Sequence, residues 1–321
     1  MELPQPLNSR EEAQKLYTAL TWDNPQFFYV ANTYSYEGYR SGGRDYYNVF
    51  CLVFSMNAEE RVASQKRLDD LLNRLDDEWK ATGLSGDYEA ELFFHDRLME
   101  LCIYDKEAAG QDNPAVRFPN AFTAYGALVE GKAVCEGYSR AMQLMLHRAG
   151  IECTLVSGFD QNGVAHMWNV ATINGRNYHL DPTWDDNERQ PQHVYFNITS
   201  EEILRTHTMD DDNIGIDTCT AQDDNYYIRS KAFITRMSLD KLADAAAEQI
   251  RRGQPSVEFR FATQDGYSRA ERYINSKSLF VGQVNERLKD EGLSFWDYED
   301  YSTNDNYHTI VIYPPAEKAE S

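Results

Sequence analysis

The sequence predicts an α+β fold in which helices and antiparallel strands occur in separate groups. Leucines recur at helical spacing on one face of residues 57–83, with charged residues opposite. Residues 26–34 and 46–55 are strand-like, and Asn174-Gly175 separates two further strand-like runs as a hairpin turn would. At 321 residues, the chain is long enough for two or three domains.

The first predicted domain, residues 1–86, has the order helix, strand, strand, helix. Its helices are predicted at 9–22 and 57–83, and its strands at 26–34 and 46–55. Asn8 or Ser9 is expected to cap the first helix. The glycine-rich residues 37–43 are expected to connect the two strands.

Cys135 lies where a loop turns into an amphipathic helix, in the run Val134-Cys135-Glu136-Gly137. That helix is predicted to end at Gly150. The positive end of the helix macrodipole stabilises a thiolate over a thiol at this position. Cys135 is therefore a candidate nucleophile.

The candidate base and acid, His166 and Asp181, flank the predicted hairpin turn. A two-residue type I′ turn at Asn174-Gly175 would place His166 opposite Thr183, and Asp181 opposite Trp168. Because side chains alternate along strands, His166 and Asp181 would then share a face as diagonal neighbours. The sequence therefore predicts an imidazole–carboxylate hydrogen bond.

Cysteine, histidine and aspartate together are the residue types that nucleophilic catalysis requires. An imidazole can take the thiol proton, and a carboxylate can orient the imidazole and stabilise its charged form. The backbone N–H of Cys135 could donate to an oxyanion. Each residue also has a structural interpretation: Cys135 as a small buried side chain, His166 as a core histidine, and Asp181 as the start of a turn.

Five segments resemble bacterial transglutaminase-like proteins. They are residues 123–128, 131–138, 163–169, 178–185 and 195–202, within a region of about 88–210. The resemblance implies a papain-like α+β core with the nucleophile helix packed on an antiparallel sheet. It also implies a Cys135–His166–Asp181 triad and acyl-transfer chemistry on amides.

The resulting division has an N-terminal α+β domain (1–86), a transglutaminase-like catalytic core (87–212) and a C-terminal α+β domain (213–321). In the last, helices are expected at 239–252 and 267–291 and strands at 256–263, 294–301 and 307–313. Residues 256–261 alternate between apolar and polar, which predicts a half-solvated strand.

The expected activity is a cysteine hydrolase acting on amide or peptide bonds through a thioester. The alternatives are a protein-glutamine transamidase, and a non-catalytic peptide-binding scaffold of the same fold. Candidate substrate-binding residues are Trp168, which would share the His166 face, Trp184 and Tyr125. A buried structural role is the alternative for Tyr125.

The five cysteines are odd in number and widely spaced, which favours reduced thiols. A zinc site would require Cys135, Cys153, His166 and His179, but no Cys-x-x-Cys or His-Glu-x-x-His pair supports it. No metal or other cofactor is therefore expected.

A net charge of −21 disfavours binding to nucleic acid or anionic membranes. No apolar run is long enough to span a bilayer, and residues 1–6 lack the features of a secretory signal. The sequence as written thus predicts a cytoplasmic protein, and a trimmed signal would make it extracellular or cell-surface. The expected partner is a protein or peptide substrate, and no feature indicates an oligomeric state.

Overall fold

The structure, a computed structural model, describes residues 2–187, 191–210, 213, 215–296, 298 and 300–315. The chain divides into two compact units. The first comprises Met1–Arg176, Asp181–Thr183 and Met209–Ile216, and the second comprises Asn177–Leu180, Trp184–Thr208 and Asp217–Ser321. The three-domain division remains a prediction, and Asp211 and Asp212 at its second boundary lie outside the described residues. Among the described helices, none combines the length and apolar character needed to cross a membrane.

The first unit begins with a three-stranded sheet and two helices. Its elements are β1 (Glu2–Leu7), α1 (Arg10–Trp22), β2 (Val30–Ser41), β3 (Arg44–Phe54) and α2 (Ala58–Ala81). The sheet order is β1-β3-β2, and both pairs are antiparallel. Both predicted helices are confirmed. Ser9 caps α1 by accepting a hydrogen bond from the backbone N–H of Glu12 at 3.1 Å, and Asn57 forms a capping box with Glu60 on α2.

Two features of this sheet differ from the prediction. Strand β1 was not predicted, because Pro4 and Pro6 are unusual in strands; here it lies at a sheet edge, where proline is tolerated. The predicted connection at 37–43 is wrong, since β2 continues to Ser41 and only Gly42-Gly43 forms the turn. Gly38 serves close packing within the strand, because a Cβ there would lie 2.1 Å from the carbonyl oxygen of Tyr46.

The remainder of the first unit carries the predicted nucleophile helix. In order, its elements are α3 (Asp87–Leu101), β4 (Ile103–Tyr104), α4 (Lys106–Ala109), α5 (Pro114–Arg117), a 3₁₀ turn (Pro119–Phe122), a π-helical turn (Gly126–Glu130), β5 (Lys132–Ala133), α6 (Cys135–Arg148), β6 (Cys153–Asp160) and β7 (Ala165–Ile173). Strand β4 pairs in parallel with β5, and β6 pairs antiparallel with β7.

Helix α6 packs on the antiparallel pair β6–β7 through buried hydrogen bonds. The Ser139 hydroxyl donates to the Met167 carbonyl oxygen at 3.0 Å, and the Asn169 amide donates back to the Ser139 carbonyl oxygen at 3.0 Å. The Gln143 amide donates to the Cys153 carbonyl oxygen at 3.0 Å. The predicted α+β core, with the nucleophile helix on an antiparallel sheet, is confirmed.

The predicted hairpin turn is present between β7 and β8 (Arg176–Leu180). Asn174 and Gly175 both have positive φ, 51° and 75°, as a type I′ turn requires. The second strand is shorter than predicted, because a helical turn, α7 (Pro182–Asp185), begins directly after Asp181. Proline favours such a start, since its fixed φ suits the first helical position.

The second unit is built around a four-stranded sheet. Its described elements are α8 (Ser200–Ile203), β9 (His207–Met209), α9 (Tyr226–Arg229), β10 (Phe233–Ile234), α10 (Leu239–Arg251), β11 (Val257–Phe261), α11 (Gln264–Asn275), α12 (Lys277–Leu288), a 3₁₀ turn (Lys289–Glu291), β12 (Tyr301–Asn304) and β13 (Thr309–Ile312). The sheet order is β10-β11-β13-β12, and only β10–β11 is parallel. Elements β8, α7 and β9 have residues in both units.

Three C-terminal predictions need correction. The helix predicted at 267–291 is two helices interrupted at Ser276, and the strand predicted at 294–301 begins only at Tyr301; residues 297 and 299 lie outside the described residues. The predicted half-solvated strand is wrong, because all five residues of β11 are buried. Its polar residues are paired instead of solvated: Glu258 bonds His193 at 2.6 Å, and Arg260 bonds Glu202 at 2.5 Å.

Candidate active site

Cys135 is the first residue of α6 and is partly exposed. The chain before it is held by backbone hydrogen bonds. The N–H of Val134 donates to the Ala121 carbonyl oxygen at 2.9 Å, and the N–H of Asp105 donates to the Ala133 carbonyl oxygen at 2.8 Å. Gly131, with φ of 72°, turns the chain from the π-helical turn into β5. The thiol therefore stands on a fixed backbone at a helix start.

The first turn of α6 packs closely against the preceding loop at Gly137. A Cβ at this position would lie 2.6 Å from the Ala121 carbonyl oxygen and 2.7 Å from the Ala133 Cβ. Only glycine fits without displacing backbone atoms, which explains the glycine two residues after Cys135.

His166 and Asp181 form a buried hydrogen bond. His166 Nε2 lies 2.7 Å from Asp181 Oδ2, with side-chain exposures of 7% and 0%. The other carboxylate oxygen, Oδ1, accepts the backbone N–H of Thr183 at 3.0 Å. Both oxygens of Asp181 are therefore engaged, which fixes the plane of the carboxylate against the imidazole.

The Cys135 thiol also interacts with His166. Burial lowers the pKa of His166, but the negative charge and hydrogen bond of Asp181, together with Cys135, outweigh it and raise that pKa to about 10. The surroundings of the imidazole thus favour its charged form.

Two further ionisable residues near these side chains were not identified from the sequence. Burial, together with the charges of Cys135 and Asp181, raises the pKa of Tyr104 to about 12, so its phenol stays protonated. Burial would raise the pKa of Asp160, but backbone N–H donors of Val164 and Asn162 and the charge of His166 lower it. Tyr104 is brought here by the pairing of β4 with β5, a contact that no local motif signals.

Trp168 lies next to the imidazole but is closed off from solvent. Its ring centroid is 6.1 Å from that of His166, the rings are stacked, and its exposure is 0%. Tyr125 is also buried: it stacks on Phe28 at 4.7 Å, and its hydroxyl accepts a hydrogen bond from Arg67 Nη1 at 2.8 Å. Both therefore support neighbouring side chains from within the core.

Trp184 belongs to the second unit. It is partly exposed, and its ring centroid lies 4.5 Å from that of His207 and 5.2 Å from that of Tyr195.

The other two residues of the zinc alternative, Cys153 and His179, are both buried. Cys153 is buried and interacts with the Asn169 side chain. His179 Nε2 lies 3.0 Å from the Ser200 hydroxyl, and burial lowers the pKa of His179 to about 4.

The comparisons with known proteins give one family match. Residues 80–182 match the model of the transglutaminase-like superfamily. Among curated proteins, none matches this sequence.

Three solved structures are similar to parts of the chain. One, described as "a TGase", is 17% identical over 60% of this chain, with a TM-score of 0.35. A "Putative Cysteine Protease from Cytophaga hutchinsonii" is 13% identical over 47% of it, with a TM-score of 0.28. A "putative protease from Parabacteroides distasonis" is 11% identical over 47%, with a TM-score of 0.25.

The matched segments cover 51%, 62% and 36% of those three chains, so this chain spans less than two thirds of each. The family match itself contains Cys135, His166 and Asp181. Over residues 80–182 the chain is therefore similar in sequence to the transglutaminase-like superfamily.

Proposed function

We propose that Cys135, His166 and Asp181 act as a catalytic triad that transfers the acyl group of an amide or peptide bond. The observation that carries the proposal is the buried hydrogen bond of 2.7 Å between His166 and Asp181, on an imidazole that also interacts with the Cys135 thiol. This is the hydrogen-bonded order that activates a thiol nucleophile.

In the proposed first step, the Cys135 thiolate attacks the amide carbonyl carbon, and the carbonyl electrons move onto oxygen. The backbone N–H of Cys135, at the unsatisfied start of α6, can donate to that oxyanion. The His166 imidazolium then protonates the amine as the C–N bond breaks, leaving a thioester on Cys135. Asp181 keeps the imidazole oriented throughout.

In the second step, neutral His166 removes a proton from the incoming acceptor as that acceptor attacks the thioester carbonyl carbon, and the C–S bond breaks to release the Cys135 thiolate. Water as acceptor gives a carboxylic acid, and a primary amine gives a new amide. We favour water because it is abundant at the partly exposed Cys135 thiol, and Trp168, the aromatic side chain stacked on His166, is fully buried and forms no wall that excludes it. Protein-glutamine transamidation is the alternative.

A peptide-binding scaffold without turnover is a different class of function. The buried His166–Asp181 pair disfavours it, because enclosing an ionisable pair is costly and binding alone does not require it.

The test offers a glutamine-donor peptide with and without a fluorescent primary amine to the wild type and to Cys135→Ala. We expect release of ammonia and glutamate by the wild type alone. Amine incorporation without competing hydrolysis would replace the hydrolase with the transamidase. A panel of amide and peptide substrates should accompany the glutamine donor. Equal turnover by Cys135→Ala would refute the triad.

A further inference from the structure

A cleft of about 240 Å³ lies within the first unit and includes the residue that follows the nucleophile. Its lining includes Thr21, Trp22, Phe27, Phe122, Glu136 and Arg140. We propose that this cleft binds a protonated primary amine that the substrate carries at the end of an aliphatic stem; this inference rests on the proposed function.

Glu136 supplies the charge that such a group would need. Its Oε1 accepts a hydrogen bond from Arg140 Nε at 2.9 Å and lies 2.8 Å from Arg140 Nη2 in an ion pair. Within the part of the chain that the structure describes, Oε2 has no hydrogen-bond partner. One carboxylate oxygen therefore remains available to a donor.

The orientation of the ion pair favours a cation over an anion. The Arg140 side chain is 10% exposed, whereas that of Glu136 is 29% exposed. Arg140 is also tied to the wall of the cleft, since its Nη1 donates to the Thr21 carbonyl oxygen at 2.5 Å. An anion would have to compete with Glu136 for a guanidinium that is already engaged. An ammonium group meets the more exposed carboxylate directly.

The rest of the lining suits the other parts of the ligand. The Thr21 hydroxyl donates to the Tyr17 carbonyl oxygen at 2.9 Å, so its own oxygen can still accept a hydrogen bond. Trp22, Phe27 and Phe122 are partly exposed aromatic rings that can pack against methylene groups and attract a cation. A stem of several methylenes ending in an ammonium group matches both features.

Two residues that line the cleft are chain neighbours of the proposed catalytic residues, although Cys135 and His166 themselves are not part of the lining. Glu136 follows Cys135, Met167 follows His166, and both line the cleft. Consecutive Cα atoms are about 3.8 Å apart, so the span from Glu136 to the Cys135 thiol is short enough for a stem of several methylenes to cover.

An ammonium group paired with a carboxylate has no free electron pair and cannot attack the thioester. The bound amine is therefore a recognition group of the substrate and not the acceptor.

The experiment compares two chloroacetamides of equal length, one ending in a primary amine and one ending in a methyl group, with four to six methylenes. In either case the Cys135 thiolate displaces chloride and forms a C–S bond, and mass spectrometry measures the rate at Cys135. Each rate is divided by the iodoacetamide rate of the same variant, which corrects for changes in the thiol itself.

The wild type should prefer the amine reagent by about tenfold, the ratio given by about 1.4 kcal/mol. Glu136→Gln should reduce the preference to near one. Glu136→Asp should keep it with a stem about one methylene longer. The matched control is Glu152→Gln, which makes the same charge change at an exposed residue outside the cleft and should retain the wild-type preference.

No preference in the wild type, or an undiminished one in Glu136→Gln, would overturn the cleft proposal. Loss of the preference in Glu152→Gln would also overturn it, because the cause would then be net charge. Failure of Cys135 to react with iodoacetamide would count against the triad instead.

The cleft is then tested in Cys135→Ala by ligand-observed NMR with 6-aminohexanamide and hexanamide. Binding of the first alone, lost with Glu136→Gln, supports the proposal, and equal binding of both refutes it.

Discussion

At the scale of single residues, the five cysteines differ in burial and in their neighbours. Cys102, Cys153 and Cys219 are buried, and burial raises the pKa of both Cys153 and Cys219, the latter to about 11. Cys51 is partly exposed but lies within β3, whereas Cys135 is the first residue of α6 and interacts with His166.

We therefore expect Cys135 to alkylate fastest, by roughly tenfold or more over Cys51 at neutral pH. Peptide mapping after treatment with limiting iodoacetamide measures the order. First labelling of Cys153 or Cys219 would show that the nucleophile is assigned to the wrong residue.

Asp181→Asn should preserve the fold and lower turnover by about 10³–10⁴-fold, because an amide cannot stabilise the imidazolium as a carboxylate does. The assay is turnover of an amide substrate, with circular dichroism to verify the fold. Asp217→Asn, at an exposed aspartate, is the matched control and should retain activity. Unchanged turnover in Asp181→Asn would rule out the role of this carboxylate.

The same variant has a pH signature. The pKa of His166 is raised to about 10 from an ordinary value of 6.5, so its protonated form stabilises the folded state. That contribution is fully present below about pH 6.5 and is lost as the pH rises through 10. The difference in Tm between wild type and Asp181→Asn should accordingly be largest near pH 6 and shrink toward pH 10. A difference that grows with pH would contradict a charged His166.

At the scale of elements, the start of α6 depends on Gly137. A Cβ there would collide with the Ala121 carbonyl oxygen at 2.6 Å, so Gly137→Ala should displace the first turn, lower Tm and slow alkylation of Cys135. Gly282→Ala is the matched control. Gly282 is exposed in the middle of α12, and no atom lies within 4 Å of the Cβ that alanine would add. Gly282→Ala should therefore raise the free energy of unfolding by up to about 1 kcal/mol. Differential scanning calorimetry measures the change in Tm for both variants. An unchanged Tm in Gly137→Ala would show that close packing does not require glycine at this position.

Strand β11 carries the next prediction. Glu258 is fully buried; it bonds His193 at 2.6 Å and accepts a hydrogen bond from the Tyr227 hydroxyl at 2.9 Å. Glu258→Ala leaves the buried His193 and Tyr227 side chains without their carboxylate partner. It should lower the free energy of unfolding by about 3–5 kcal/mol.

Glu286→Ala, which breaks the exposed ion pair with Lys289, should cost less than about 1 kcal/mol. Urea denaturation compares the two variants. Equal costs would mean that the buried bonds of Glu258 contribute little.

The sequence predicted elements where the signal is local. The capping side chain of α1 and the Asn174-Gly175 turn act within a few residues, and both features are present as expected. Alternation in β11 was misinterpreted because a polar face looks the same whether water or a buried partner covers it. His193, which covers Glu258, is separated from it by 65 residues, so the pattern could not reveal the pair.

The candidate site divides in the same way. Cys135, His166 and Asp181 were found from a helix start and a short hairpin, and the latter two are bonded as their shared face predicts. The cleft was not found, because its wall depends on the contact between Arg140 and Thr21 across 119 residues. Tyr104 was missed for the same reason, since it pairs with Ala133 only in the folded sheet.

At the scale of the whole molecule, the domain division depends on such distant contacts. The predicted boundary at residue 86 falls inside the first compact unit, where Arg67 bonds the Tyr125 hydroxyl at 2.8 Å and Phe28 stacks on Tyr125. Such contacts cannot be predicted from composition, because each joins residues that are far apart in the sequence. The three predicted domains thus remain a proposal about how the chain is organised in sequence.

The net charge of −21 should act on every charged molecule that approaches the thiol. At about 0.01 M salt the Debye length is about 30 Å, and at 1 M it is about 3 Å. Chloroacetamides of equal length with cationic, neutral and anionic ends should therefore react with Cys135 in that order of rate at low salt, and the differences should contract at high salt. If the rates of all three reagents were independent of salt, the net charge of the protein would have no effect on the potential at Cys135.

Salt also separates this long-range attraction from binding at Glu136. Contact with a partly buried carboxylate is screened much less than the field of distant charges, so it should survive 1 M salt. The cationic preference that remains at 1 M should disappear in Glu136→Gln and persist in Glu152→Gln, while the salt-sensitive part should be nearly the same in both. If the whole preference vanishes at 1 M in the wild type, the attraction comes from the net charge of the molecule, and the cleft has no separate role in selecting a cationic substrate.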